Sequence, residues 1–314
     1  MKCFSSSLSQ NIFLRSFFVF IFVHFSYGQE PKLFTLADYD LKGNVKSCLV
    51  ITDYGKEEFE FNKAGYLTKL TTRYSDTDYA ISYYKFDQEQ LLEKRLENYR
   101  EGQLDPGTSI ANIYSIDTTA TKMVTEKIYS YQNEFLDQYE YSYDELNRLI
   151  NIRRSNNDGI DETVVVYDSL KGEVTQTFEL NGTVQKSVRT SLSIQKEGIP
   201  LKVILVKEFL EGDPVKAIEQ SLDSLGRILK EQNFDFQEKE GSFVMQDVNE
   251  YLYNADGLLA EKTTTAANSE QKKEYVYQMD GQEYGNWIKQ IILPDNSYIT
   301  RKITYYEKES KLEE

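Results

Sequence analysis

YDELNRLINI, residues Tyr143 to Ile152, reads as the end of one strand, a tight turn and the start of a second strand. The preceding run YEYSY alternates aromatic and polar residues, the period of a strand with one buried face. Asp144 can accept a hydrogen bond from the backbone two residues on and start a turn. Asn147 stands where the chain needs the left-handed region, which Asn tolerates next best after Gly. An apolar pair, Leu149 and Ile150, then opens the returning strand.

The same order of residues recurs along the chain. FNKAGYLTKL begins at Phe61, FDQEQLLEKR at Phe86, LDSLGRILKE at Leu222 and YNADGLLAEK at Tyr253. YDSLKGEVTQ, from Tyr167, has its glycine one place late, and YQMDGQEYGNWIKQ, from Tyr277, is a stretched copy. The intervals 61 to 86, 143 to 167 and 253 to 277 are close to one another, in the range of a repeat architecture. Asn62, Asp144, Asp223 and Asn254 take the turn-starting position. Gly65, Asn147, Gly226 and Gly257 take the position that needs positive φ in a three- to five-residue hairpin loop. Any β-rich protein has one such hairpin; six or seven in a fixed order of aromatic, Asx, Gly and apolar residues mark a repeat.

The copies resemble the YD repeats of RHS-type proteins, whose unit is written around Tyr-Asp-x-x-Gly-Arg-Leu. YDELNRLINI and LDSLGRILKE match it best, and the resemblance runs from about Leu41 to Ile303. LKGNVKS (41–47) and YGNWIKQI (284–291) resemble the ends of small exported members of this group. The resemblance implies long antiparallel sheets that curl or spiral, in large members into shells around a toxin. This chain is short, its copies are degenerate and no extra C-terminal domain stands out as cargo, so it resembles a small member without a toxin domain. LDPGTS (104–109) echoes the Asp-Pro-x-Gly of larger members' core regions, but lies mid-chain and alone.

The N-terminus indicates export. Lys2 and Arg15 precede an apolar core, Phe17 to Val23, and Ser26 and Gly28 occupy the −3 and −1 positions of a cleavage site before Gln29. A membrane anchor is the competing reading, but the apolar run falls well short of the ~20 residues that span a bilayer. Residues 1–28 are therefore read as a signal peptide and 29–314 as one repeat domain ending in a charged tail, ESKLEE. The expected location is periplasm, cell surface or outside the cell, without a transmembrane segment after cleavage. Loss of Lys2 and Arg15 takes the formal charge from −15 to −17. His24, the only histidine, leaves with them, as does one of the two cysteines, Cys3.

A mature chain without histidine lacks the imidazole of Ser-His-Asp and Cys-His catalysis and the usual nitrogen and sulfur ligands of zinc. Cys48, in VKSCLVI, reads as a half-buried strand residue, with an intermolecular disulfide as the alternative. The acidity opposes nucleic acid and anionic membrane surfaces. SNNDGIDE (155–162) gathers oxygen ligands without the spacing of a calcium loop and reads as a hairpin turn. No catalytic, cofactor or metal residues are assigned.

At two strands per ~25-residue unit the mature chain supplies roughly twenty strands. The expected fold is all-β: a long antiparallel meander of repeated hairpins forming one strongly curled or rolled sheet, because open twisted sheets rarely exceed about ten strands. Of 24 tyrosines only Tyr27 lies in the leader; the rest suit a sheet with no helix layer over it. The expected function is a non-catalytic binding or structural module presenting a tyrosine-rich surface to a partner, a protein ahead of a glycan. Trp287 is the candidate surface platform, and it is also the residue read as most apt to plug the end of a rolled sheet. Two other classes stay open: a glycan-acting enzyme working through two carboxylates, and an immunity or antitoxin partner of a secreted effector.

Overall fold

The computed structural model describes residues 32–87, 89–194 and 198–307. The expected leader and the ESKLEE tail lie outside the described residues. The chain forms β1 (Val45–Thr52), β2 (Gly55–Phe61), β3 (Leu67–Arg73), β4 (Tyr79–Asp87), β5 (Gln90–Arg100), β6 (Gln103–Asp117), β7 (Met123–Ser130), β8 (Phe135–Tyr143), β9 (Leu149–Asn156) and β10 (Ile160–Leu170). It continues through β11 (Glu173–Leu180), β12 (Thr183–Ile194), β13 (Pro200–Leu210), β14 (Asp213–Leu222), β15 (Ile228–Gln237), β16 (Ser242–Tyr253), β17 (Leu259–Ala266), β18 (Ser269–Met279), β19 (Trp287–Leu293) and β20 (Ser297–Tyr305). One 3-10 turn, Leu36–Tyr39, is the only helical element among the described residues.

Each strand pairs antiparallel with the next, from β1–β2 through β10–β11 to β19–β20. β20 then pairs with β1, setting Ile303 opposite Cys48 and Arg301 opposite Val50. The 20-stranded sheet is thus a closed up-and-down barrel. The all-β antiparallel meander is as the sequence implies, but the sheet is not merely curled: its ends hydrogen-bond. Closure removes the two edges whose unpaired N–H and C=O groups would otherwise stand open.

The even-numbered strands from β2 to β18 turn at one rim, where the repeated motifs lie. In four of the turns the bonding is the same. The N–H of Gly65, Asn147, Gly226 and Gly257 donates to the carbonyl of Asn62, Asp144, Asp223 and Asn254 at 2.9–3.0 Å. The Asx side-chain oxygen accepts the N–H four residues on, at 2.8–2.9 Å, from Tyr66, Arg148, Arg227 and Leu258. The φ angles at the fourth loop position are +84°, +57°, +79° and +81°. A β-bulge precedes each loop, at Glu60/Phe61, Ser142/Tyr143, Ser221/Leu222 and Leu252/Tyr253.

The other copies turn differently. From Tyr167 the strand runs on to Leu170 and reverses at Lys171–Gly172, with φ +52° and +85°, a two-residue hairpin that leaves Asp168 in the strand. The late glycine moves the turn with it. From Phe86, β4 reaches Asp87 and β5 resumes at Gln90. In the stretched copy the Asx role falls to Asp280, whose Oδ1 accepts Gln282 N–H at 3.0 Å.

Register assigns the two faces. Cys48, Phe59, Leu70, Tyr114, Val124, Tyr141, Ile152, Val165 and Phe178 share the face that also carries Tyr251, Tyr277 and Arg301. This face is concave. The segment ahead of β1 packs on it: Phe34 meets Tyr84 on β4, and Tyr39 meets Phe59 and Phe61 on β2. Asp40 lies within electrostatic reach of Tyr253 on β16, Tyr277 and Arg301. On a flat sheet β16 and β4 stand eight spacings apart across the closure, roughly 38 Å. Residues 34–40 reach at most ~25 Å, so the sheet bends around them.

Two clusters gather part of the buried apolar residues: Leu41, Val45, Cys48, Phe59, Phe61 and Leu67 under that segment, and Val124, Tyr141, Tyr143 and Ile152 farther round. Polar networks share the inner face with further buried residues such as Val165, Phe178 and Tyr251. Glu126 accepts from Asn112, Tyr114 and Tyr141 at 2.7–2.9 Å. Asp137 holds Arg154 and Asn156, and Asp247 holds Asn233 and Asn249. The outer face carries charge along the strands, including Lys69 with Glu60, Arg95 with Glu93, Arg153 with Glu140 and Lys272 with Glu261. No helix among the described residues is long and apolar enough to cross a membrane.

Two outcomes test this architecture. Ser47 and Thr304 hydroxyls approach to 2.7 Å across the closure, on the exposed face. The double variant Ser47→Cys/Thr304→Cys should form a disulfide on mild oxidation, seen as a faster-migrating species on non-reducing gels; neither single variant should. An open sheet would give no intramolecular crosslink. At the turns, Gly257→Val should destabilise by more than ~1 kcal/mol in urea unfolding, because a β-branched residue is strained at positive φ. Gly257→Asn should cost less, as Asn147 already occupies the equivalent place.

Candidate functional site

The turn residues Asn62, Gly65, Asp144, Asn147, Asp223, Gly226, Asn254 and Gly257 all lie at the motif rim, where they shape loops and line no cavity. The Asp-containing loops reach toward the next copy. Asp144 binds the Arg148 guanidinium at 2.6 Å, and that guanidinium lies over Tyr167 at 4.7 Å. Asp223 binds Arg227 at 2.7 Å, and Arg227 lies over Tyr253 at 4.7 Å. The Tyr167 and Tyr253 hydroxyls donate to the carbonyls of Leu149 and Ile228 at 3.0 and 2.9 Å. Sequence reading took these aromatics as strand packing and assigned the arginines no role.

Trp287 is not a surface platform. Its side chain is 5 % exposed, and the Arg301 guanidinium sits 3.4 Å from the ring centre. Pairing of β19 with β20 brings the two together, and Tyr277 closes the other side with a tilted ring contact at 5.8 Å. Cys48 lies on the same inner face and is fully buried rather than half-buried; burial pushes its thiol up to about 11. A thiol so enclosed is not placed for an intermolecular disulfide. SNNDGIDE forms the β9–β10 turn, where Asn156 Oδ1 accepts the N–H groups of Asp158 and Gly159. Among the described residues no group of three or more His, Cys, Asp or Glu is placed to hold a metal.

A half-open cleft lies at the opposite rim, on β4, β5 and β6. Its volume is about 460 Å³, and it is lined by Tyr74, Asp78, Tyr79, Asn98, Tyr99, Arg100 and Thr108. Tyr79 and Tyr99 face each other across β4 and β5. Their rings stack at 4.5 Å and 14°, and Arg73 lies 4.9 Å from the Tyr79 ring centre. Tyr99 donates to Glu97 at 3.0 Å; burial and that carboxylate push its hydroxyl up to about 12. Tyr74, 69 % exposed, projects from the adjoining loop.

Two braced segments wall the cleft. The 74–78 loop is closed by Tyr74 N–H and Ser75 N–H to the Asp78 carbonyl at 3.0 and 3.1 Å. Asp78 Oδ1 accepts Glu101 N–H at 3.0 Å, and this backbone bond, with Ser75, holds its carboxyl below the usual range. The second wall is the LDPGTS stretch. Between Leu96–Ile110 and Asn98–Asp105 the β5–β6 register jumps, so residues 106–109 bulge outward. Asp105 gathers them, accepting Gly107 N–H at 3.1 Å and the Thr108 hydroxyl at 3.0 Å. Ser109, 1 % exposed, donates to Asp105 O at 2.7 Å and accepts Asn98 N–H at 3.0 Å. Sequence reading noticed LDPGTS but found no task for it. A shallower depression of about 360 Å³ involves Tyr83, Lys85, Glu93 and Arg95 on the neighbouring strands.

No family model matches the chain, and no curated protein matches it. Solved structures with a similar course include a protein of unknown function from Bacteroides fragilis, 8 % identical, with TM-score 0.19, covering 55 % of this chain and 91 % of that one. A porin-like protein from Bacteroides vulgatus is 15 % identical with TM-score 0.19, covering 84 % of this chain and 99 % of that one. The TcdB2–TccC3 structure is 10 % identical with TM-score 0.24 over 84 % of this chain, which spans 24 % of that chain's length. At these identities and scores the likeness carries no functional inference.

Proposed function

We propose that the chain is a small exported YD-repeat protein that binds a partner without transforming it. The repeat is the scaffold: four loops with one hydrogen-bond pattern stand along one rim of a closed sheet. The observation that carries the binding reading is the tyrosine cleft at the opposite rim, whose two walls are braced by side-chain-to-backbone bonds. Such bracing lowers the ordering cost of binding. The cleft's chemistry supports a receptor more than a catalyst. Glycoside hydrolysis through two carboxylates needs one acid with a raised pKa, whereas Asp78 is held in its ionised form by Glu101 N–H and Ser75. The acidic charge of −15 supports a partner other than nucleic acid.

Export and binding have separate tests. Mass spectrometry of the protein recovered from the cell envelope or medium should find Gln29 as its first residue. The purified mature chain should show no turnover on panels of glycosides, peptides and esters, and should retain a component of envelope extract that Tyr74→Ala does not. Turnover that vanishes when one Asp or Glu becomes its amide, with the fold intact, contradicts the non-catalytic reading.

A further inference from the structure

We infer that the inner face beside the β1–β20 closure carries a site for a small zwitterion, an ammonium group and a carboxylate on a short linker, held between Asp40 and Arg301. The site stands apart from the rim cleft and does not depend on it. Two opposite charges that the fold leaves open carry the inference.

Arg301 projects from β20 onto the inner face. The Trp287 ring covers one face of its guanidinium, 3.4 Å from the ring centre. Nε and Nη1 are enclosed without a hydrogen-bond acceptor, and burial pulls the group below its ordinary pKa. Enclosed N–H groups on a cation are costly and ordinarily have a partner. Nη2 makes no hydrogen bond among the described residues either, but it is not closed off. It shares one edge of the planar group with Nε and another with Nη1. A carboxylate that bridges from Nη2 therefore gives an enclosed nitrogen its acceptor.

Asp40 is the complementary charge. It lies within electrostatic reach of Arg301, yet the two form no ion pair, and its carboxyl makes no hydrogen bond among the described residues. Asp40 is exposed, but enough of the wall surrounds it that burial raises its carboxyl above the ordinary value, with Arg301 and Lys42 drawing it down. A group with both properties lines a hollow rather than the outer surface. An ammonium group set against it favours the ionised form.

The fold holds the two charges apart. Asp40 sits at φ +51° among fixed backbone bonds: its N–H donates to the Ala37 carbonyl at 3.3 Å, Leu41 N–H to the Leu36 carbonyl at 3.0 Å, and Lys42 N–H to Asn286 Oδ1 at 2.8 Å. Arg301 is held by the β1–β20 ladder and by Trp287. An anion alone meets Asp40 in the repulsive sense, and a cation alone meets Arg301. A zwitterion meets both favourably, and charges already fixed in place lower the ordering cost of binding.

The test is calorimetry of the purified chain, at neutral pH and low salt, with a ruler of ω-amino acids. The ruler runs from glycine through β-alanine and γ-aminobutyrate to ε-aminocaproate, each beside the alkanoate and the alkylamine of the same length. One length should bind at least tenfold more tightly than its alkanoate or its alkylamine. Asp40→Asn, which a left-handed backbone accepts, should erase that preference, bringing the alkanoate within about twofold of the amino acid. Arg301→Gln should abolish binding of the whole ruler, and Tyr74→Ala at the rim cleft should change it less than twofold. Circular dichroism checks that each variant keeps the sheet; if Arg301→Gln does not fold, Asp40→Asn decides. Failure of every ruler member to bind, an alkanoate or alkylamine that matches the amino acid on the unaltered chain, or a preference that survives Asp40→Asn overturns the zwitterion site. Loss of ruler binding with Tyr74→Ala places it at the rim cleft and overturns the site as well.

Discussion

The hydrogen bonds between β1 and β20 join residues about 250 positions apart, from Ser47–Thr304 to Ile51–Thr300, and the barrel depends on them. Every other ladder is a hairpin between consecutive strands. Those ladders form locally, and each extends a sheet that could in principle continue. Only the last pairing fixes the strand number and decides which face is enclosed. It also has the largest loop-closure cost in the chain, though that cost grows only with the logarithm of length. Local hairpins followed by one long-range closure is the folding order this contact pattern favours. The 34–41 segment acts at the same place. It packs on Cys48 and Phe59 beside the seam, and Leu36 N–H and Leu67 N–H bridge it to Gly65 and Phe34 carbonyls at 3.1 and 2.9 Å.

Closure also separates two rims with different chemistry. One carries the repeated loops, where Asx oxygens, bulges and positive φ recur in the same order. Turns of unlike length stand at both rims: two residues at Lys171–Gly172 among the five-residue motif loops on the one, and two at Asn181–Gly182 and Glu211–Gly212 with five at 74–78 on the other, where the 106–109 bulge lies close by. Regular turns conserve the strand register that a repeat sheet needs. Irregular ones are free to differ, and binding residues gather on loops held by a rigid scaffold. The cleft stands at the rim opposite the motif loops, and the β4–β5 pairing sets Tyr79 opposite Tyr99 in its floor.

The turn residues were legible in the sequence because positive φ and Asx bonding are local demands. Gly65, Asn147, Gly226 and Gly257 needed no knowledge of distant strands. The copy at Tyr167 was misplaced for the same local reason: its left-handed pair is Lys171–Gly172, and the turn follows the glycine rather than Asp168. Trp287 was misjudged because its cover is Arg301, supplied by the pairing with β20, and no pattern around YGNWIKQ announces it. The cleft was hidden likewise. Tyr74, Tyr79, Tyr99 and Thr108 come from three strands and a loop, and only the β4–β5 and β5–β6 registers bring them together.

The four loops with the shared bonding differ in one contact that the consensus spelling obscures. In three of them the side chain four residues after the Asx lies against the aromatic that opens the following copy. In the two of these loops whose Asx is an aspartate that residue is arginine, and the carboxylate orients the guanidinium over the ring: Asp144, Arg148 and Tyr167; Asp223, Arg227 and Tyr253. Where it is an asparagine the residue is uncharged. Tyr66, after Asn62, meets Phe86 with ring centres 5.6 Å apart. After Asn254 it is the buried Leu258, and the Tyr277 hydroxyl donates to the carbonyl of Leu259 at 2.8 Å. An asparagine amide shapes the turn as well as a carboxylate but offers no charge to hold an arginine, and after Asn62 the Tyr66 ring takes the contact instead. The two choices go together only among the four loops with the shared bonding; the copies at Phe86 and Tyr167 keep Asp87 and Asp168 but have Leu91 and Gly172 four residues on, and they turn differently.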